Sequence, residues 1–526
     1  MHKIWADNKD LSICVNCFIL MKRGIIFVLL VLFLFVSIIS VQEVEATITP
    51  FGIKWPKTLT GPKDLGAQTV RLSISWNQIE PNKDDYAIGR LERYDEVFDF
   101  YSQNGIEPFV TLRSASRWGS KVESSDVSSL PKDMEEFREF VGFMVNRYKD
   151  RVKYWQFENE VNSPGYWQGT KEEYGILLKN GSQTVRQVNP EAKVVLQGIA
   201  GVVFEAANGF WPYNNSDEQK QAQNFLDYMF DNLSEYYDVV DFHQYRDYDI
   251  SERFVGMIND YMDKYGYEKP ITSSELGALS MNLFTRHEVG VEYVPVVEEL
   301  LQIPRVSQKW NIVWNEITPT EFTPVEKTKL GEFLKNHSEA GPILEKYQAE
   351  NLVKRVTLTI SLGVEKIHWL CMQDVDGRDQ FHVQMCLKDS DERKKPHYFT
   401  YKLMIDKLKG LERIDKLDEG LYKAEFPDND SVHIAWNDDG GVINLTQYGV
   451  SGVVNVTHII TERNNTDEDA VIETLYASSI PLNETPVFVE ESEVTLTDVL
   501  DAIDDWVNGF ISLEEVLGII ESWASV

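Results

Sequence analysis

Short runs rich in β-branched and aromatic residues alternate with longer amphipathic segments between residues 47 and 410. In the run TVRLSISW (69–76) every second residue is apolar, and in the segment that follows, 90–105, apolar residues recur at helical spacing up to Gly105. The predicted strands lie at 51–55, 69–76, 106–112, 152–162, 192–201, 238–245, 269–278 and 364–374. Eight strands alternating with helices predict an α/β fold of the (β/α)8 TIM barrel class.

A doubly wound open sheet is the alternative. Such sheets usually carry a Gly-rich phosphate-binding loop after a strand, and the sequence contains neither a G-x-G-x-x-G nor a Walker motif. In a barrel, chemistry is expected at the C-terminal ends of the strands. The insertion at 281–345 is too long for a passive loop, so we expect it to wall the cleft.

The pattern changes after residue 410. Polar turns divide residues 411–492 into short predicted strands at 421–426, 432–436, 441–445, 452–460 and 471–477. This pattern predicts a small antiparallel β-domain. Packing on the barrel is its favoured role, and carbohydrate binding is the alternative. Residues 493–526 predict a C-terminal helical hairpin around Asn508-Gly509. That hairpin also resembles a single dockerin repeat with an EF-hand loop, whose ligand positions would be Asp504, Asn508, Ser512 and Glu515; Trp506 replaces one ligand, so the plain hairpin is favoured. Either form could dock a cell-surface partner.

The first 46 residues predict a targeting segment. Lys22 and Arg23 precede an apolar run, IIFVLLVLFLFVSII, and the small residues before Thr47 fit cleavage after Ala46. An uncleaved membrane anchor is the alternative. Residues 1–20 fit neither the signal nor a fold, so Met21 is a candidate for the true start. We expect a secreted or cell-surface protein with a barrel at 47–410.

Composition and charge narrow the partners. The chain has 526 residues, and 84 acidic against 51 basic residues give a net charge of −33. Such a field repels phosphate backbones, so nucleic acid is a poor partner. With 43% hydrophobic residues the chain can build a large core. Cys371 and Cys386 can pair in an exported protein, although their spacing leaves the disulfide open.

Polar residues at the predicted strand ends suggest the chemistry. The fourth strand ends in Asn159-Glu160 and the seventh in Glu275. Two carboxylates facing one cleft are what glycoside hydrolysis requires, one protonated to serve as the acid and the other ionised to attack. The other candidates at the barrel mouth are Arg71, His243, Tyr245 and Trp369.

This set resembles clan A of the glycoside hydrolases, the retaining barrel enzymes that include families 5 and 39. FENEVN resembles the acid/base motif after strand four, and TSSELGA resembles the nucleophile motif at strand seven. The resemblance implies that Glu160 is the acid/base and Glu275 the nucleophile. It also implies that Asn159 bonds the sugar 2-hydroxyl. Many family 5 members carry a histidine after strand three, where this chain has Arg113-Ser114.

By the same likeness, Arg71 and Tyr245 orient the nucleophile with His243 nearby, and Trp369 forms the floor under the sugar. Glu158 shares a strand face with Glu160 and is an alternative acid. Asn315-Glu316 in the insertion is a second Asn-Glu pair, interpreted as unrelated because it falls out of the clan's order. Five further tryptophans are either sugar platforms or core residues: Trp55, Trp76, Trp118, Trp167 and Trp211.

The sequence therefore predicts an exported retaining hydrolase of β-linked oligo- or polysaccharides that needs no cofactor or metal. Two alternatives use the same scaffold. One is an inactive surface protein that binds glycans, and the other is a transglycosylase that transfers the sugar to another sugar.

Overall fold

The structure is a computed structural model of the chain. It describes residues 48–208, 216–246, 248–278, 340–374, 385–428, 430–492, 496–509 and 511–524. The predicted leader 1–46, Trp211, Asn315-Glu316 and nearly all of the 281–345 insertion lie outside these ranges. Within them, no helix is both long and apolar enough to cross a bilayer.

Nine parallel strands form one curled sheet. They are β1 (Phe51–Lys54), β2 (Thr69–Ser75), β3 (Glu107–Arg113), β4 (Tyr154–Phe157), β5 (Lys193–Val195), β6 (Ile199–Ala200), β7 (Val240–Gln244), β8 (Ile271–Leu276) and β9 (Val364–Trp369). Their spatial order is β5-β4-β3-β2-β1-β9-β8-β7-β6. Isolated parallel bridges from Val195 to Val239 and from Asn159 to Gly198 join the two edges. Because β5 and β6 are two parts of one interrupted strand, the sheet is the predicted eight-stranded barrel.

Helices surround this barrel. They are α1 (Gly61–Leu65), α2 (Trp76–Ile79), α3 (Ile88–Gln103), α4 (Met134–Tyr148), α5 (Lys171–Val188), α6 (Gly201–Ala207), α7 (Ser216–Asp227), α8 (Ile250–Tyr265), α9 (Ala340–Ser361) and α10 (Pro396–Leu408). Local chemistry sets their ends: Asp133 caps α4 by accepting from the Glu135 N–H, and Thr170 with Glu173 forms a capping box on α5. Their apolar faces and the strands share one large core.

The strand that leads to the acidic motif ends sooner than the pattern predicted. A strand over 152–162 was expected, but β4 stops at Phe157 because Glu158 has a φ of 67° and Glu160 a φ of 42°. Residues other than glycine rarely adopt this left-handed region, and such a conformation persists only where the surrounding structure holds it. The backbone is therefore strained where it presents the candidate acid.

An antiparallel β-domain follows the barrel. Its strands are β10 (Arg413–Asp418), β11 (Leu421–Glu425), β12 (Ser431–Ala435), β13 (Gly441–Ile443), β14 (Val453–His458), β15 (Ile472–Tyr476), β16 (Ile480–Leu482) and β17 (Val487–Glu491). Six of them form a sheet in the order β10-β11-β12-β17-β14-β15, and β13 pairs with β16. The predicted class is confirmed, although β10, β16 and β17 were missed.

The barrel and the β-domain are joined by charged side chains. Glu345 of α9 is buried and accepts hydrogen bonds from Arg393 beside the barrel and from Arg463 of the β-domain. Burial opposes ionisation of Glu345, but these two guanidinium groups lower its pKa below the usual range. Nearby, Cys371 and Cys386 form a disulfide after β9, which settles the pairing that their spacing left open.

The C-terminal segment is a helical hairpin of α11 (Leu496–Val507) and α12 (Leu513–Ala524). Asp504, the first ligand position of the alternative calcium loop, lies inside α11. Glu515, the last ligand position, accepts a hydrogen bond from the Ser512 N–H at the start of α12 while the Ser512 hydroxyl accepts from the Glu515 N–H. The contacts of Ser512 and Glu515 are those of a capping box at the start of α12. The helical hairpin is confirmed, and calcium binding by its loop stays an alternative prediction.

Candidate active site

Glu275 lies near the C-terminal end of β8, and its side chain is buried at the barrel mouth. Its Oε1 accepts a hydrogen bond from Arg71 Nη1 at 2.7 Å and forms an ion pair with Lys54 Nζ. Its Oε2 accepts a hydrogen bond from the Tyr245 hydroxyl. Donors on both oxygens favour the carboxylate form of this side chain.

Arg71 connects Glu275 to the neighbouring strands. It is 2% exposed, and its Nε donates to Thr111 Oγ1 at 3.0 Å. Its Nη2 donates to Gln156 Oε1 at 2.6 Å and to Asn159 Oδ1 at 2.7 Å. A guanidinium held in this way by fixed acceptors has one orientation, so it fixes the orientation of the carboxylate as well.

The charges around Glu275 decide its ionisation. Burial alone would raise the pKa of this carboxyl, but His243, Lys54 and Arg71 lower it well below the usual range. Burial lowers the pKa of Lys54 to about 8, although the charge of Glu275 opposes that change. At neutral pH the pair therefore consists of a carboxylate and an ammonium group.

Glu160 stands on the other side of the mouth. Its side chain is 14% exposed, and its Oε1 lies 2.7 Å from Nδ1 of the fully buried His243. One carboxylate oxygen of Glu160, one carboxylate oxygen of Glu275 and one ring nitrogen of His243 all lie within 4.8 Å of one another. Carboxyl groups about 5 Å apart suit a double displacement, whereas inverting enzymes separate them by about 6.5–9.5 Å.

Glu158, the alternative acid, faces another direction. Its Oε1 accepts a hydrogen bond from the Ser114 N–H at 2.6 Å, and its Oε2 lies 4.0 Å from Arg113 Nε. The residue is 1% exposed, and burial raises the pKa of its carboxyl. This side chain supports the loop after β3, so the geometry favours Glu160 over Glu158.

The tryptophans divide into two groups. Trp369 is fully buried, and its indole N–H donates to the Met385 carbonyl at 2.7 Å. Because its ring has no exposed face in the described part of the chain, its role as a sugar floor stays a prediction. Trp76 and Trp167 are core residues. Trp118 is partly buried, whereas Trp55 is 41% exposed and its ring centroid lies 4.2 Å from Lys54 Nζ. Among the described tryptophans that were predicted for the mouth, Trp55 has the most exposed side chain.

Glu160, His243 and Glu275 also have the chemistry of metal ligands. However, Lys54 and Arg71 already pair with Glu275 directly. Two fixed positive charges at this carboxylate oppose the binding of a divalent cation, so these residues fit a metal poorly.

The sequence matches the family described as Cellulase (glycosyl hydrolase family 5) over residues 39–304. This segment is about half of the chain and includes both candidate carboxylates.

The chain belongs to glycosyl hydrolase family 5.

Curated relatives of this family 5 chain match shorter stretches. The 6-phospho-beta-glucosidase of Clostridium longisporum is 42% identical over 105 residues, 19% of this chain and 22% of that protein. The 6-phospho-beta-galactosidase of Clostridium acetobutylicum is 27% identical over 265 residues, 46% of this chain and 54% of that protein. The chain thus spans between about a fifth and half of these relatives' length.

A solved structure supports the fold. The family 39 glycoside hydrolase from the gut symbiont Bacteroides cellulosilyticus WH2 superposes with a TM-score of 0.54 at 14% identity, covering 85% of this chain and 82% of that one. At that identity the likeness concerns the fold alone. The Arg113-Ser114 departure does not exclude family 5, and here Ser114 binds Glu158 instead.

Four residues of this family 5 site were missed by sequence reasoning. Lys54 ends β1 in the apolar run FGIKW, where a lone charge was a usable signal. Gln156, Asp241 and Ser274 are buried polar residues on strands β4, β7 and β8. Their signal was weaker, because a polar residue in a strand most often faces solvent.

We predict that Lys54→Gln moves the acidic limb of the kcat/KM profile to higher pH. Lys54 helps to lower the pKa of Glu275, so removing its charge raises that pKa and the carboxylate is lost sooner on acidification. We expect a displacement of about one pH unit, measured with an aryl β-glycoside.

Lys57→Gln is the matched control, since Lys57 is an exposed lysine on the loop after β1. Its profile should overlay that of the wild type. An unchanged acidic limb in Lys54→Gln would show that Lys54 does not control the ionisation of Glu275.

Proposed function

We propose that this protein is an exported, retaining glycoside hydrolase that cleaves β-glycosidic bonds of oligo- or polysaccharides. The observation that carries the proposal is that the ionised carboxylate of Glu275 lies close to the carboxyl group of Glu160. One oxygen of each lies within 4.8 Å of the other. Similarity to a 6-phospho-beta-glucosidase and a 6-phospho-beta-galactosidase supports the β-linkage.

In the first step, Glu275 attacks the anomeric carbon and forms a covalent bond to it. The bond between that carbon and the glycosidic oxygen breaks, and Glu160 gives its proton to the departing oxygen. Positive charge develops on the sugar ring in this step, and the carboxylate of Glu275 stabilises it. Arg71 and Tyr245 hold the attacking carboxylate in position.

In the second step, water attacks the same carbon from the face that the leaving group vacated. Glu160, now a carboxylate, takes a proton from that water, and the bond to Glu275 breaks to restore its carboxylate. Lys54 and Arg71 stabilise the charge that returns to Glu275. Two inversions at one carbon give a product with retained configuration.

Export is supported by two independent features. The N-terminal 46 residues have the pattern of a signal peptide. The Cys371–Cys386 disulfide suits an oxidising compartment, because cytosolic thiols are kept reduced.

The hairpin is proposed to dock a cell-surface partner. It packs on Val453 through an apolar face formed by Val499, Ala502 and Ile519. Further apolar side chains remain exposed on it: Leu500, Ile503, Trp506, Val507, Leu513, Leu517 and Trp523. A group of exposed apolar residues of this kind is typical of a protein interaction site.

The two carboxylate roles predict different responses to azide. Glu160→Ala and Glu275→Ala should each lose on the order of 10²–10⁴-fold of kcat/KM on phenyl β-glycosides. With azide, Glu160→Ala should give the β-glycosyl azide through the covalent intermediate, whereas Glu275→Ala should give the α-glycosyl azide by direct attack. Proton NMR of the products measures both outcomes.

Glu158→Gln serves as the control from the same loop, and it should produce no glycosyl azide. Near-normal turnover in both alanine variants, or an inverted product from the wild type, would contradict the proposed mechanism.

Cell fractionation tests export and docking together. In the source cell, the mature chain should begin at Thr47 by N-terminal sequencing and should be found at the cell surface. A chain truncated after Ser492 should retain its aryl-glycosidase activity but pass into the medium. An intact leader, or a truncated chain that stays at the surface, would contradict the respective assignment.

A further inference from the structure

The amide of Gln156 has one orientation in the site. Its Oε1 accepts hydrogen bonds from Arg71 Nη2 at 2.6 Å and from the Thr111 hydroxyl at 2.8 Å. Its Nε2 donates to the Leu196 carbonyl at 2.9 Å and to Asp241 Oδ2 at 2.6 Å. Because the arginine can only donate, the oxygen of the amide must face it, and the nitrogen must face Asp241.

Asp241 is therefore surrounded by donors. Its Oδ1 accepts from the Ser274 N–H at 2.8 Å, and its Oδ2 accepts from Gln156 and from the Ser274 hydroxyl. Burial raises the pKa of Asp241, but hydrogen bonds to both oxygens favour its carboxylate form. The proton of the Ser274 hydroxyl is thus directed at Asp241.

This direction fixes one hydrogen of His243. Its Nε2 lies 3.2 Å from Ser274 Oγ, which donates its hydroxyl hydrogen to Asp241 and can therefore only accept from the ring. Nε2 therefore carries hydrogen. Gly198 packs against this edge of the ring, where a Cβ would lie 2.0 Å from Nε2.

On the other side of the ring, Nδ1 lies 2.7 Å from Glu160 Oε1, while Nε2 lies 3.8 Å from carboxylate oxygens of Asp241 and Glu275. With no proton between Nδ1 and Glu160, a lone pair would face a carboxylate, which is repulsive, so this contact holds one proton. We propose that Asp241 and Ser274 are positioning residues that keep hydrogen on His243 Nε2 and so keep the catalytic proton in the contact between Nδ1 and Glu160.

The consequence for catalysis rests on the proposed function. In the resting enzyme, the contact between His243 and Glu160 already holds the proton that the leaving oxygen needs. After that proton has left, the Glu160 carboxylate faces the Nδ1 lone pair, which favours uptake of the proton from the attacking water. The same relay therefore supports Glu160 as acid in the first step and as base in the second.

The first test is spectroscopic and needs no substrate. Nitrogen NMR of protein labelled with ¹⁵N-histidine, with the His243 signals assigned through His243→Gln, reports which ring nitrogen carries hydrogen. We expect an Nε2 that carries hydrogen and gives a pyrrole-type signal at pH 7. A pyridine-type Nε2, with the hydrogen of the ring on Nδ1 alone, would overturn the proposal.

The second test uses leaving groups. Ser274→Ala removes the acceptor for Nε2–H, so kcat/KM on a phenyl β-glycoside, which needs the acid, should fall about 10-fold or more. On a 2,4-dinitrophenyl β-glycoside, whose leaving group needs no proton, it should stay within about threefold. The control is Ser273→Ala, which removes a buried hydroxyl one residue earlier on β8 that donates to the Phe242 carbonyl, and it should not separate the two substrates.

Equal losses of Ser274→Ala on both substrates would indicate a merely structural role and would overturn the relay, as would no loss on either. A wild-type protein that is inactive on every glycoside would instead contradict the proposed function, and the NMR result would still show whether His243 Nε2 carries hydrogen.

Discussion

The structure of the barrel mouth depends on keeping one buried carboxylate ionised. Removing an isolated carboxylate from water costs several kcal/mol, and the group would take up a proton unless cations and donors replace the solvent. For Glu275 these are Lys54, Arg71 and Tyr245. They come from β1, from β2 and from the residue after β7, so the site exists only when the barrel has closed and the strand ends have met.

The same constraint shapes the chain around the acid. Gln156 and Asn159 must reach Arg71 from the end of β4, while Glu160 from the same strand end must reach His243. The strand ends at Phe157, and positive φ values at Glu158 and Glu160 turn the backbone between these contacts. Strain of about 1–3 kcal/mol at such a residue persists only where surrounding contacts impose it, and here the contacts of the site do so.

The fold was predictable because segments with the period of a strand alternate along the chain with segments that have the period of a helix. Six residues of the site could be placed together because they occupy barrel strand ends: Glu160, Glu275, Arg71, Asn159, His243 and Tyr245. Lys54, Asp241 and Ser274 could not, since their part depends on distances across the barrel rather than on neighbours in sequence. The role of Trp369 stays a prediction, because a strand-end tryptophan suggests a sugar platform whereas packing buries this ring in the described part of the chain. In the β-domain, β17 was missed because its sequence, VFVEE, ends in two acidic residues. It is nevertheless a central strand, since it pairs with β12 on one side and β14 on the other.

The central claim is that Glu275 bonds covalently to the sugar. A 2-deoxy-2-fluoro β-glycosyl fluoride tests it most directly, because the fluorine at C2 slows both steps while the good leaving group lets the first proceed. We predict that it inactivates the enzyme with a mass increase of one fluorosugar, found by peptide mass spectrometry on Glu275. A label on Glu160, or rapid turnover of the reagent with inversion and no labelled peptide, would contradict the account.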